Sequence, residues 1–233
     1  FVYFMVIVIP AFYSFYLSLF KWNGIGPNKK FVGFKNYINL FLYDKVFVRA
    51  AINNVVWVLL TLTLTVGVAF VFALLLNRKF KGRTFFRGLF YFPYVLSYVV
   101  VGIIWEWLYN PQLGLLYGLF NAFGIGELYN TPLASLHLCF FAVFIAALWQ
   151  AFGAPMILFL AGLNAIPKQL YEAAAIDGAN KFHSLINITL PMLRETFVVV
   201  FAIQIIASVK VFDIVIAMTD GGPANRTHTL ATW

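Results

Sequence analysis

Long apolar runs separated by short polar clusters dominate the chain, and they are too continuous to be single faces of water-soluble helices. A helix needs about 20 predominantly apolar residues to cross a hydrocarbon layer about 30 Å thick. Five stretches are read as spans. The first ends near Phe20. The second runs from about Val55 to Leu76 without a charge, and the third from about Gly88 to Tyr109 with a kink expected at Pro93. The fourth, about Pro132 to Leu163, is too long for a perpendicular span and is interrupted by Gly153 and Pro155, so a tilt or break is expected there. The fifth runs from about Thr196 to Met218, and the Asp-Gly-Gly-Pro sequence at 220–223 marks a turn after it. The pattern predicts an all-α fold, a polytopic transmembrane helical bundle. Residues 1–20 lack the charged front and small-residue cleavage site of a signal peptide, so they are read as the end of a membrane helix that begins before Phe1.

The connections carry the charge. Arg78, Lys79, Lys81, Arg83, Arg87, Lys168, Lys181 and Arg194 fall on one side of the predicted spans, and Lys21, Lys29, Lys30, Lys35, Lys45, Arg49 and Arg226 on the other. Numbers alone barely separate the two sides. Density does, because Arg78 to Arg87 is a tight basic cluster between two spans, so this loop is placed in the cytoplasm. Residues 21–50 are mixed and aromatic, which suits a short amphipathic element at the outer interface.

Composition sharpens the picture. Of 233 residues 63% are hydrophobic and only 10% charged, with mean hydropathy +0.88, which excludes an ordinary soluble domain. The net charge of +8 lies in clusters between apolar runs rather than on a face, which points to anionic lipid headgroups and away from nucleic acid. Cys139 is the single cysteine and sits in an apolar run, as a buried small hydrophobe would. His137, His183 and His228 show no metal-ligand spacing, and no metal site is expected. No Walker A sequence occurs and no nucleophile with its base can be assembled, so no catalytic residue is assigned. The Asn225-Arg226-Thr227 sequon is given no role.

The least hydrophobic long loop is residues 164–195, and it reads as two short helices. Pro167 suits a first helical turn, Leu170 to Asp177 is rich in Ala and Leu, and Gly178 can take the left-handed conformation that ends a helix. A second amphipathic stretch, Phe182 to Ile188, is expected to stop before Pro191. Without further information the loop could be a connector hugging the headgroups. Its residues nevertheless match a spaced pattern: Glu172, Ala173 and Ala174, then three residues, Gly178, nine residues, Ile188, Thr189, Leu190 and Pro191. This resembles the coupling loop of permease subunits of binding-protein-dependent ABC importers. Residues 31–37, 74–95, 160–179 and 210–233 resemble the carbohydrate subgroup that includes maltose-type permeases.

The resemblance implies the type I ABC importer permease fold over residues 1–233, lacking the family's final helix, with 164–195 as a cytoplasmic coupling loop. It implies that Glu172, Ala173, Ala174, Gly178, Leu190 and Pro191 belong to the contact with an ATPase. Implied partners are a second homologous permease, two ATPase subunits and an extracytoplasmic sugar-binding protein, beside membrane lipid. ATP and Mg would sit on the ATPases, with no cofactor on this chain, which is not itself an enzyme and lies in a bacterial-type inner membrane. The rival readings are a gradient-driven secondary transporter, for which only Glu106 and Asp213 offer intramembrane carboxylates, and a membrane scaffold without transport. Glu106, between Trp105 and Trp107, is placed at the outer interface.

Polar groups inside spans default to a pathway. Gln204 and Ser208 are i and i+4 on one helix face, with donors and acceptors suited to sugar hydroxyls or to helix packing. Gln150 adjoins the break made by Ala151, Gly153, Ala154 and Pro155, where small residues leave room for a ligand. Ala151 and Ala154 are included in the pathway, and Gln150, Gln204 and Ser208 are expected to share one cavity. Lys210 and Asp213, at i and i+3, are expected to form an intramembrane charge pair with a structural or a gating role.

Overall fold

The computed structural model describes residues 1–126, 129 and 131–233, and the chain divides into two compact units, Phe1–Arg49 and Ala50–Trp233. In the first unit a π-helical turn, Phe4–Val8, leads into α1 (Ile9–Ser18), and neither has a buried residue. Two short strands, β1 (Phe20–Lys21) and β2 (Lys30–Phe31), pair antiparallel, Phe20 opposite Phe31. Helix α2 (Lys35–Leu42) follows, and its Asn36 amide donates to the carbonyls of Ser18 (2.8 Å) and Phe20 (3.0 Å).

Helix α3 (Lys45–Leu60) starts about ten residues before the second span expected from hydropathy. Its start is set by Asp44, whose Oδ1 accepts from the N–H groups of Val46 and Phe47, both at 2.9 Å. A π-helical segment, Thr61–Thr65, then joins it to α4 (Val66–Asn77), and the 33-residue helix Lys45–Asn77 is long and apolar enough to cross a membrane.

The other expected spans are bent. α5 (Arg83–Val95) and α6 (Tyr98–Leu108) meet at 101°. The break falls at Leu96 and Ser97 rather than at Pro93, which lies buried inside α5. Ser97 caps α6 by accepting from the Val100 N–H at 3.3 Å, so the new helix has its own start signal. The short α7 (Leu115–Ala122) comes next. Within the expected fourth span, residues 132–138 form turns, and α8 (Cys139–Ala151) and α9 (Gly153–Ala165) meet at 42° across Phe152. A side chain at Gly153 would put its Cβ 2.8 Å from the Phe90 carbonyl oxygen and 3.0 Å from Tyr91 Cα, so the glycine is required by close approach to α5.

Two short helices, α10 (Lys168–Ile176) and α11 (Lys181–Ser184), follow α9. α11 does not stop before Pro191. It runs through a π-helical segment, Leu185–Thr189, into α12 (Leu190–Met192), the widened turn accommodating Pro191, which has no N–H to donate. After a 65° bend comes α13 (Arg194–Val209). The expected fifth span is also interrupted, since α13 ends at Val209 and α14 (Asp213–Thr219) begins after Lys210–Phe212. Among the described residues, the helix Lys45–Asn77, the bent pairs α5–α6 and α8–α9, the interrupted pair α13–α14 and the shorter apolar helix Phe4–Ser18 thus fall on the five predicted stretches.

Two apolar clusters hold the second unit together. In one, Val66, Ala69, Ala73 and Leu76 of α4 face Met156, Phe159, Leu160 and Leu163 of α9, and Ala69 and Ala73 let the helices approach closely. In the other, Trp57 of α3 meets Phe140 and Phe144 of α8 edge-on at 5.7 and 5.2 Å, beside Val101 of α6 and Ile214 and Met218 of α14.

Candidate coupling helix and pathway cavity

Residues 168–192 form a projecting pair of helices whose root is packed and whose tip is bare. At the root, Tyr171 and Ile188 pack against the α4–α9 cluster, and the Tyr171 hydroxyl lies 3.0 Å from the hydroxyl of buried Thr189. At the tip, the Ala179 N–H donates to the Ala174 carbonyl (2.8 Å) and the Gly178 N–H to the Ala175 carbonyl (3.2 Å), the paired bonds that close a helix on a left-handed residue. Gly178 has φ +79°, and nothing lies within 4 Å of where its Cβ would be. The requirement for glycine here is conformational rather than steric. Asn180 starts the next helix, its Oδ1 accepting from the His183 N–H at 2.8 Å.

Glu172 and Ala173 are exposed on α10, Ala174 is half-buried, Leu190 is half-buried and Pro191 is exposed. Sequence reasoning missed two neighbours of Gly178: Ile176 is 87% exposed and Phe182 66% exposed. Large apolar side chains this bare, flanking a tight turn, form a surface suited to a protein partner. Their signal was apolar residues in the most polar long loop.

A cavity of about 140 Å³ lies between α3, the π-helical segment, α5, α6, α8, α9 and α13. Its polar lining is Thr61, Thr65, Tyr94, Tyr98, Gln204 and Ser208, set among Trp57, Phe144, Leu158 and Val200. Ala151, Ala154 and Pro155 also line it. Gln204 is 6% exposed and Ser208 3%, and among the described residues nothing hydrogen-bonds the Gln204 amide. A buried amide whose partners are missing is an expensive group unless a ligand or water meets it. Thr61 and Thr65 reach the cavity from the π-helical segment, a local widening that recurs at functional sites, and the unbroken apolar run of the sequence concealed them.

Gln150 is not part of this lining. Its Nε2 donates to the carbonyls of Tyr94 (3.3 Å) and Leu96 (3.1 Å), the last residues before the α5–α6 break, and its Oε1 is buried without a partner. It holds the bend that carries Tyr94 and Tyr98 to the cavity. The expected cavity shared by Gln150, Gln204 and Ser208 is therefore corrected to one lined by Gln204 and Ser208, with Gln150 behind its wall.

The helical turn on which the Lys210–Asp213 pair rested is absent. Lys210 caps the C-terminal end of α13 and Asp213 is the first residue of α14, so each charge complements the dipole of its own helix end. The carbonyls freed by the break are met from elsewhere: Asn54 Nδ2 donates to Ser208 O (3.1 Å) and Thr229 Oγ1 to Val211 O (2.8 Å). Asn54 Oδ1 in turn accepts from the Leu230 N–H at 3.2 Å, and Asn53 Nδ2 donates to the carbonyls of Arg226 and His228, both at 2.8 Å.

Residues 45–233 match the family described as binding-protein-dependent transport system inner membrane component. Among curated relatives, the probable ABC transporter permease protein YurN of Bacillus subtilis is 33% identical over 100% of this chain and 80% of its own length. The multiple sugar-binding transport system permease protein MsmF of Streptococcus mutans is 37% identical over 95% and 75%. The trehalose/maltose transport system permease protein MalF of Thermococcus litoralis is 33% identical over 97% and 75%. Among solved structures, a chain of the bacterial alginate ABC transporter, crystallised with its alginate pentasaccharide-bound periplasmic protein, superposes with a TM-score of 0.83 at 21% identity, covering 99% of this chain and 77% of that one. The fold is shared with that transporter, and the chain belongs to the binding-protein-dependent transport system inner membrane component family.

Proposed function

We propose that this chain is the membrane-spanning permease of an ATP-driven sugar importer, forming half of the translocation pathway and receiving the force of ATP hydrolysis through residues 168–192. The observation that carries the reading is the projecting helix pair with a bare tip, Ile176 and Phe182, and a root packed on the α4–α9 core through Tyr171 and Ile188. A push on such a tip is delivered to the helices rather than absorbed by a loop. The partners are a second permease completing the pathway, two cytoplasmic ATPase subunits that hold ATP and Mg, and an extracytoplasmic sugar-binding protein. Sugar as cargo is supported by the roles for which relatives are named, among them trehalose and maltose transport and multiple-sugar transport, and by the chemistry of the cavity.

The cavity suits a polyhydroxylated solute. Hydroxyls of Thr61, Thr65 and Ser208 and the Gln204 amide offer both donors and acceptors, and among the described residues no charged one lines the space. Tyr94, Tyr98, Trp57 and Phe144 give ring faces and edges for the apolar faces of a sugar. Transport then follows alternating access: closure of the ATPases moves the paired coupling helices, the permeases open outward, and sugar passes from the binding protein into the cavity.

Uptake in proteoliposomes containing the complete complex tests this assignment. Loss of one hydrogen bond to bound sugar costs about 0.5–1.5 kcal/mol, or roughly two- to tenfold in affinity. Gln204→Leu combined with Ser208→Ala should raise the half-saturating sugar concentration by at least that factor while assembly is preserved. An unchanged half-saturation would make both residues packing groups and move the sugar site elsewhere.

A further inference from the structure

The first unit ends its apolar helix in a layer of aromatic and basic side chains. α1 has no buried residue, and Phe12, Phe15 and Tyr16 are each more than half exposed, an apolar surface suited to hydrocarbon along its length to Ser18. From there the rings of Tyr16 and Phe20 lie 4.8 Å apart and those of Phe20 and Phe31 5.3 Å apart. Lys29 Nζ sits 4.4 Å from the centroid of the Trp22 ring and 3.3 Å from the Tyr13 hydroxyl. Rings with polar tips and a lysine reaching along them mark the level where lipid tails give way to headgroups.

Helix α2 is tied to that level. Its Asn36 amide bonds the carbonyls of Ser18 and Phe20, and its Tyr37 hydroxyl lies 2.6 Å from Ser18 Oγ. The tied face leaves another one bare. Phe34, Ile38, Phe41 and Leu42 recur at i, i+4, i+7 and i+8 and are all half or more exposed, up to 72% at Leu42. Lysines flank this apolar arc along the chain at Lys29, Lys30, Lys35 and Lys45, while Asp44, the one carboxylate of the unit, is engaged in capping α3.

We propose that α2 lies in the plane of the bilayer interface beside the end of α1, its Phe34–Leu42 arc in the acyl boundary and its flanking lysines on anionic phospholipid headgroups. Lipid is the occupant because α2 is tied to the end of the exposed apolar helix α1 at the aromatic layer, and because the charge flanking its arc is complementary to anionic lipid. An interfacial anchor of this kind fixes the height of α1, so that the span cannot slide along the membrane normal.

Nitroxide labels at Ile38→Cys, Phe41→Cys and Asn39→Cys in a Cys139→Ala background test this in the full complex reconstituted in nanodiscs. The readout is access to oxygen against access to a water-soluble nickel chelate. Labels at 38 and 41 should favour oxygen and the label at 39 the chelate. The difference should grow when phosphatidylglycerol replaces phosphatidylcholine, and that growth should be lost in the triple variant Lys29→Gln, Lys30→Gln, Lys35→Gln. Equal chelate access at 38, 39 and 41 would put α2 in water. Shielding of 38 and 41 from both reagents would put a protein over the arc, and indifference to phosphatidylglycerol would remove the anionic headgroups. Each of these results overturns the proposal.

Discussion

Gln150 and Gln204 are both buried amides in apolar helices, and their partners separate their roles. Gln204 has an amide left free at a cavity wall, whereas Gln150 spends its donor on the carbonyls of Tyr94 and Leu96. Gln150→Ala leaves those carbonyls without that donor in a buried place, at a cost of about 1–3 kcal/mol. The purified complex should melt at a lower temperature, with the half-saturation for sugar changed less than by Gln204→Leu and Ser208→Ala. A variant with wild-type melting and a strongly raised half-saturation would return Gln150 to the pathway. The i, i+4 relation made Gln204 and Ser208 legible in the sequence, since helical spacing fixes a shared face. Gln150 was misread because its partners lie 54 and 56 residues away across a bend that no local pattern announces. Lys210 and Asp213 were misread for the same kind of reason: spacing implied one helix, and the chain places a break between them.

At the scale of elements, the apolar runs were found and so was the break at Gly153, while the break of the third span was misplaced and that of the fifth went unseen. Proline drew the expected kink to Pro93, yet the chain turns at Leu96 and Ser97, where a serine cap restarts the helix. The start of α3 carried a readable signal in Asp44, hidden only because hydropathy discounts Lys45 and Arg49. The helix pair of residues 168–192 was legible as a pair of helices joined at Gly178, because a glycine suited to a left-handed stop lies between two helical patterns. The second of these helices outran its predicted end, since it continues through a π-helical segment to Met192. Gly178 gives this element its sharpest test. A left-handed residue other than glycine costs about 1–2 kcal/mol, less for asparagine and more for a β-branched side chain. Gly178→Val should lower ATP-driven uptake without reducing the amount of protein in the membrane, and Gly178→Asn should keep more activity than Val. Equal, wild-type uptake by both would separate the turn from coupling.

At the scale of the molecule, the proposed function requires that residues 168–192 face the cytoplasm. The charge asymmetry supports that placement through the basic run Arg78 to Arg87, where Arg87 Nη2 also bonds the Leu76 carbonyl at 3.0 Å at the end of α4. Cysteines introduced at Lys79 or Lys81 should resist a membrane-impermeant maleimide in intact cells and react after the membrane is opened, whereas ready labelling from outside would invert the topology. The claim on which the rest depends is that the tip of α10 touches an ATPase. A photo-reactive amino acid in place of Ala173, which is exposed beside Glu172, reads that contact directly in intact cells. Irradiation should yield an adduct whose second component, identified by mass spectrometry, is an ATP-binding subunit. Adducts only with lipid or with an extracytoplasmic protein would contradict the account.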